Sequence, residues 1–139
     1  TGVGVSQGTG TLSSLSYNWN SGQINFGGNT NYGSEQRMVV ITGYWQHPGT
    51  TGQTSTVHFA GRNDDGLIVN INNTSVVSDW AQQGPTYWNS SGSFSGVGGQ
   101  WYPIQINWYE WGGSAKAVLI WIFIIELMAI MLLTLQVVG

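Results

Sequence analysis

An antiparallel all-β sandwich closed by one C-terminal apolar helix is the fold class this sequence predicts, and three observations carry the prediction. Short β-branched and aromatic runs recur every 8–12 residues along positions 37–121, each bounded by Gly, Asn, Asp, Ser or Pro. No stretch before residue 115 has a helical period. The last stretch, AVLIWIFIIELMAIMLLTLQVV at Ala117–Val138, is instead apolar on every face and has one ionisable side chain, Glu126.

Residues 1–34 are punctuated too densely by Gly, Ser, Thr and Asn for helix, since each interior Gly costs about 1 kcal/mol there. Short strands are expected near Leu12–Trp19 and Gln23–Phe26. RMVVITGYW (37–45) is the first strong strand, ended by His47-Pro48-Gly49. STVHFAG (55–61) alternates Val57 and Phe59 against Thr56 and His58. Arg62–Gly66 reads as a turn into Leu67–Ile71, and Asn72-Asn73-Thr74 as a second turn into SVVSDW (75–80). Ala81–Ser93 reads as a loop; WYPIQINW (101–108), a turn at Glu110–Gly113 and SAKAVLIW (114–121) follow. The expected organisation is an N-terminal arm with first strands (1–37), a sandwich (38–121) and an apolar segment (122–139).

Composition excludes several functions. Charged residues are 6% of 139, the net charge is −3, and only Arg37, Arg62 and Lys116 are basic. Nucleic-acid binding needs a basic footprint, and none exists. With no cysteine, disulfides and thiolate metal sites are excluded. Twenty-one glycines and eight tryptophans on an uncharged polar background suit a surface that meets sugars or packs into an assembly. No nucleophile elbow, phosphate loop or triad appears, and the carboxylates Glu35, Asp64, Asp65, Asp79 and Glu110 form no recognisable glycosidase frame, so an enzyme is not expected. His47 and His58 lack partners at metal spacing and read as structural. Asn72, Asn73 and Asn89 fall in Asn-x-Ser/Thr triplets, which arise by chance in so Asn/Ser-rich a chain.

The order ITGYW (41–45), HPGTTG (47–52), VHFAGRNDDGLIVNINNTSVVSDW (57–80) and GGQWYPIQINWYEWGGSAKAVLIW (98–121) resembles a PA14 domain over about residues 38–121. That family is a β-sandwich of toxins, glycosidases and adhesins. The resemblance implies that Asp64-Asp65 is the adjacent aspartate pair that, in adhesin members, binds Ca²⁺, with the calcium binding sugar hydroxyls. Two carboxylates on one turn suit a cation that takes about six to eight oxygen ligands; Asp-Asp-Gly is also simply a good hairpin turn. Gln82, Gln83, Asn89 and Asn107 are amides available to complete a site. Trp88, in the long loop, and Trp111, beside Gly112-Gly113, are the indoles placed to stack on a sugar. Trp45, Trp80, Trp101 and Trp108 read as core or edge packing, and Asp79 as a backbone-bonding structural residue.

Three readings of the tail compete. A helix of 22 residues spans roughly 33 Å, close to a bilayer's apolar thickness. It equally suits a self-associating bundle, with Glu126 paired to Lys116 or to a neighbour's amine, and Ile122, Phe123, Leu127 and Ile130 in the contact. Third, the segment extends the β-structure and is buried between subunits. The expected function is an extracellular or cell-surface carbohydrate-binding protein of the adhesin type, partnered by a glycan and by a membrane or copies of itself. The alternative is a structural subunit of an extracellular filament or virion.

Overall fold

The computed structural model describes residues 6–12, 15–25, 32–84, 89–122 and 131–138. Ten strands lie among them: β1 (Ser6–Leu12), β2 (Ser16–Asn20), β3 (Arg37–Gln46), β4 (Thr54–Asp64), β5 (Gly66–Ile71), β6 (Thr74–Asp79), β7 (Asn89–Val97), β8 (Trp101–Glu110), β9 (Ala115–Ile122) and β10 (Met131–Val138). They form a six-stranded sheet in the order β1-β10-β3-β8-β5-β6 and a four-stranded sheet in the order β2-β9-β4-β7. Paired strands run antiparallel throughout.

Period-two alternation builds the core between the sheets. Val39, Ile41 and Trp45 of β3, Leu67, Val69 and Ile71 of β5, and Ile104, Ile106 and Trp108 of β8 turn inward from the larger sheet. Val57 and Phe59 of β4, Phe94 of β7 and Leu119 of β9 oppose them from the smaller one. Trp45 sits edge-on to Phe59 at 5.3 Å and to Phe94 at 6.0 Å between ring centres, an arrangement favoured by aromatic quadrupoles. His47 is structural: its Nδ1 accepts the Gly49 amide at 3.0 Å, so Nε2 carries the proton and donates to the Ser55 carbonyl.

Four expectations are corrected. Met131–Val138 do not form a helix: they pair with β1 on one side and β3 on the other, in register from Met131↔Trp45 to Val138↔Met38. A continuous apolar run is the pattern of a strand inside a sheet as much as of a buried helix, and the available pairing edge of β3 decides between them. Phe123, Glu126, Leu127 and Ile130 lie outside the described residues, Ile122 closes β9 opposite His58, and among the described residues no helix is long and apolar enough to cross a membrane. Second, Asn89–Ser93 belong to β7 rather than to a loop, pairing with β4 despite their Ser and Gly content. Third, Trp80 and Trp101 are exposed, whereas Trp45 and Trp108 fill the core.

The fourth correction positions the site. Asp64-Asp65-Gly66 is no hairpin turn, because β4 and β5 belong to different sheets. The triplet is the corner where the chain crosses the sandwich, and the Asp64–Asp65 peptide bond there is cis. Gly66 is required by close approach: a Cβ on it would lie 2.2 Å from Tyr109 Cε1, and the same ring carries Trp80 at 4.6 Å. Gly66→Ala is expected to force that ring pair apart at a cost of about 2 kcal/mol, read as a melting temperature lower by roughly 5 °C or more.

Candidate functional site

The inward rows change character as they approach the corner. On β4 the row Val57–Phe59–Gly61 ends in Asn63, and on β8 the row Ile104–Ile106–Trp108 ends in Glu110, all buried. Together with Asp64 and Asp65 this gathers three carboxyl groups whose oxygens lie within 4.8 Å of one another. Asp64 is 4% exposed, Asp65 3% and Glu110 1%.

Each acid has different surroundings. Asp65 is a staple between two loops: Oδ1 accepts the Gln83 amide and Oδ2 the Trp111 amide, both at 2.7 Å. Its own amide donates to the Tyr109 carbonyl at 3.1 Å, fixing the corner against β8. Asp64's carbonyl accepts the buried Trp108 indole N–H at 3.1 Å, and Lys116 stands opposite Asp64 in the β4–β9 register. Burial pushes the Asp64 carboxyl up to about 6, the Asp65 charge adds to this, and Lys116 opposes it. Glu110 is pushed up to about 8, first by burial and then by the charges of Asp65 and Asp64, with Glu35 contributing. The Gly112 amide pulls Glu110 the other way, yet neither Glu110 oxygen meets a donor at hydrogen-bonding geometry.

A buried carboxylate pair of oxygens without donors is costly, by several kcal/mol if ionised. Three carboxyl groups converging on one point can serve as donors to a hard cation: a divalent ion would neutralise two charges and supply the partner Glu110 lacks. The residues present therefore fit Ca²⁺, with Asp64, Asp65 and Glu110 as the groups to hold it. The corner opens to solvent through a depression of about 500 Å³ lined by Asp64, Asp65, Gln82, Gln83, Gly84, Gly112 and Ser114. Trp111, adjoining this lining in sequence, is 56% exposed.

Of the residues singled out from sequence, the structure brings Asp64, Asp65, Gln82, Gln83 and the Trp111 backbone to one place. Asn107 stands away, on the outer side of β8 in the row of Gln105. Asn89 opens β7 opposite Gly61, and Trp88 lies outside the described residues. Lys116, expected in assembly, faces the aspartate corner. Asp79 bonds side chains: its Oδ2 accepts from Asn63 Nδ2 at 2.9 Å and from Gln83 Nε2. This ties the Gln83 loop down a second time. Glu110 is the addition. Its signal was an acid standing two residues beyond Trp108 in an otherwise apolar inward row.

No protein-family model and no curated protein matches the sequence. Solved structures do match. The PA14 domain of the MpAFP antifreeze protein aligns at TM-score 0.65 and 17% identity, covering 88% of this chain and 71% of that one. A PA14 sugar-binding domain from an RTX adhesin aligns at 0.64 and 18%, covering 89% and 75%. An anti-sigma factor domain-containing protein aligns at 0.66 and 20%, covering 85% of this chain and 39% of that one. The chain has a PA14-like fold.

Proposed function

We propose that this chain is a non-enzymatic carbohydrate-binding module of the adhesin type, acting at the cell surface or outside the cell, with calcium held at the Asp64–Asp65 corner. The observation that carries the reading is the convergence of three buried carboxyl groups, one of them without a donor, beneath a depression open to solvent. The likeness to a sugar-binding PA14 domain of an adhesin supports it.

Bound calcium would offer open coordination positions to vicinal hydroxyls of a sugar. The chain's own residues do the rest. Asp65 holds the Gln83 and Trp111 loops at fixed separation, so the rim is set before ligand arrives. Gln82 brings a carboxamide, which donates and accepts, to the hydroxyl-bearing edge, while the Gln83 carboxamide anchors the loop on Asp79. The exposed Trp111 indole offers an apolar plane for a pyranose face.

Calorimetric titration of calcium into the whole chain, followed by a glycan screen with calcium and with EDTA, tests this reading. A dissociation constant between about 10⁻⁵ and 10⁻³ M is expected, in the range of sensor and extracellular calcium sites. Glycan binding should vanish in EDTA, and Trp111→Ala should keep calcium while weakening the glycan about tenfold. A folded protein that gives no calcium heat would refute the proposal.

A further inference from the structure

A separate depression among the described residues lies on the outer face of the six-stranded sheet, with a volume of about 630 Å³. We propose that it is a second, metal-independent carbohydrate site that takes a neutral glycan chain. β8 forms its floor with Pro103 and Gln105; Thr42 and Tyr44 of β3 make one wall, and Asn70 of β5 with Asn73 of the following turn make the other.

The register aligns these groups across the sheet. Thr42, Gln105 and Asn70 stand in one cross-strand row, and Tyr44 faces Pro103 in the next. At strand spacings of about 4.8 Å the walls stand roughly 10 Å apart. The Asn72 amide donates to the Pro103 carbonyl at 2.8 Å, pinning the turn to the floor and fixing Asn73 at the end of the groove. Asn72 and Asn73 both take positive φ there, 48° and 64°, as a tight two-residue turn demands.

Three properties select the occupant. First, no lining residue carries a charge at neutral pH, so neither a phosphate, an acidic polysaccharide nor a charged peptide is recognised by its charge. Second, β8 is hydrogen-bonded to β3 on one side and β5 on the other, so an extended peptide finds no free strand edge to pair with. Recognition must run through side chains, and those present are two carboxamide asparagines, a glutamine, a threonine hydroxyl and a tyrosine ring. Carboxamides pair with hydroxyls as donor and acceptor alike. Third, Tyr44 is 57% exposed, and Asn70, one residue before the end of β5 and beside the irregularity in its pairing with β6, is partly buried on the same face. A polyhydroxylated ligand with an apolar ring face uses both.

The site is independent of the calcium corner. Gln105 points outward on β8, whereas Glu110 ends the inward row about 17 Å further along the strand. The proposal therefore stands or falls separately from the reading of the corner.

The test titrates cellohexaose, laminarihexaose and maltohexaose separately into the whole chain in EDTA, following the amide spectrum and the binding heat. At least one hexasaccharide is expected to bind, with shifts centred on Thr42, Tyr44, Asn70 and Gln105. Tyr44→Ala should weaken that binding tenfold or more and Asn70→Ala about fivefold, while Trp111→Ala leaves it unchanged. Both altered side chains lie on the outer face, so unaltered melting temperatures confirm that the variants fold. Absence of binding by all three sugars in EDTA would overturn the proposal. Binding that Tyr44→Ala leaves intact would overturn it as well, and binding seen only with calcium would assign the sugar to the corner instead.

Discussion

Glu110→Gln is expected to stabilise the metal-free protein at pH 8 and to abolish the stabilisation that calcium gives. The carboxyl of Glu110 is raised to about 8 and that of Asp64 to about 6, both first by burial and then by the neighbouring acids, while Lys116 lowers Asp64. A carboxyl whose pKa is higher in the folded than in the unfolded chain binds its proton more tightly when folded. The metal-free fold is therefore most stable below the unfolded pKa values, near pH 4, and loses stability as pH rises toward 8. Discounting for coupling among the acids, the loss is on the order of 2–3 kcal/mol, or roughly 8–12 °C in melting temperature. Glutamine at 110 keeps the shape, removes the charge and flattens this profile. Calcium competes with the same protons, so its stabilising effect should be small at pH 5 and large at pH 8. Melting curves of both proteins from pH 5 to 8, with calcium and with EDTA, check all of this. A calcium effect that is equal at both pH values, or that survives in Glu110→Gln, would exclude Glu110 as a ligand.

The sequence conveyed the sandwich well and its connections less so. Inward rows such as Val57–Phe59 and Ile104–Ile106–Trp108 announce themselves by alternation, because one face of each strand must be apolar. The two-sheet arrangement was not legible at Asp64–Gly66, since a turn composition looks the same whether the chain reverses within a sheet or crosses to the other. β10 belongs to the tail, for which an extension of the β-structure is one of three open readings. Leu133-Thr134-Leu135-Gln136-Val137 alternates apolar and polar residues, a strand signal masked by the long apolar run before it, and the free edge of β3 supplies the pairing. At the site, Asp64 and Asp65 stood out as adjacent acids, and Glu110 was readable as the acid that breaks an apolar row. The Gln83 and Trp111 amides that hold Asp65 carry no sequence signal, because every residue but proline has one. The neutral groove was also hidden. Thr42, Gln105 and Asn70 become neighbours only through the β3–β8–β5 register.

That division of labour leads to opposite expectations for two adjacent aspartates. Asp65 accepts two backbone amides at 2.7 Å, so Asp65→Ala leaves both without their partner and frees the Gln83 and Trp111 loops. Hydrogen bonds to a charged acceptor contribute about 1.5–3 kcal/mol each, and a loss of roughly 3 kcal/mol or more is expected for the pair. Asp65→Asn recovers only part, because its amide nitrogen must meet one of the two N–H donors head-on. Asp64 has the reverse balance in the metal-free chain: its charge is desolvated and repelled by Asp65 more than Lys116 compensates. Asp64→Asn should therefore raise metal-free stability at pH 8, by about 1 kcal/mol, while removing calcium binding. Urea unfolding of the three variants in EDTA, beside calcium titrations, separates the roles. If Asp64→Asn destabilised the metal-free chain as much as Asp65→Ala, both aspartates would be scaffold, and the corner would have no residue whose presence only a bound cation explains except Glu110.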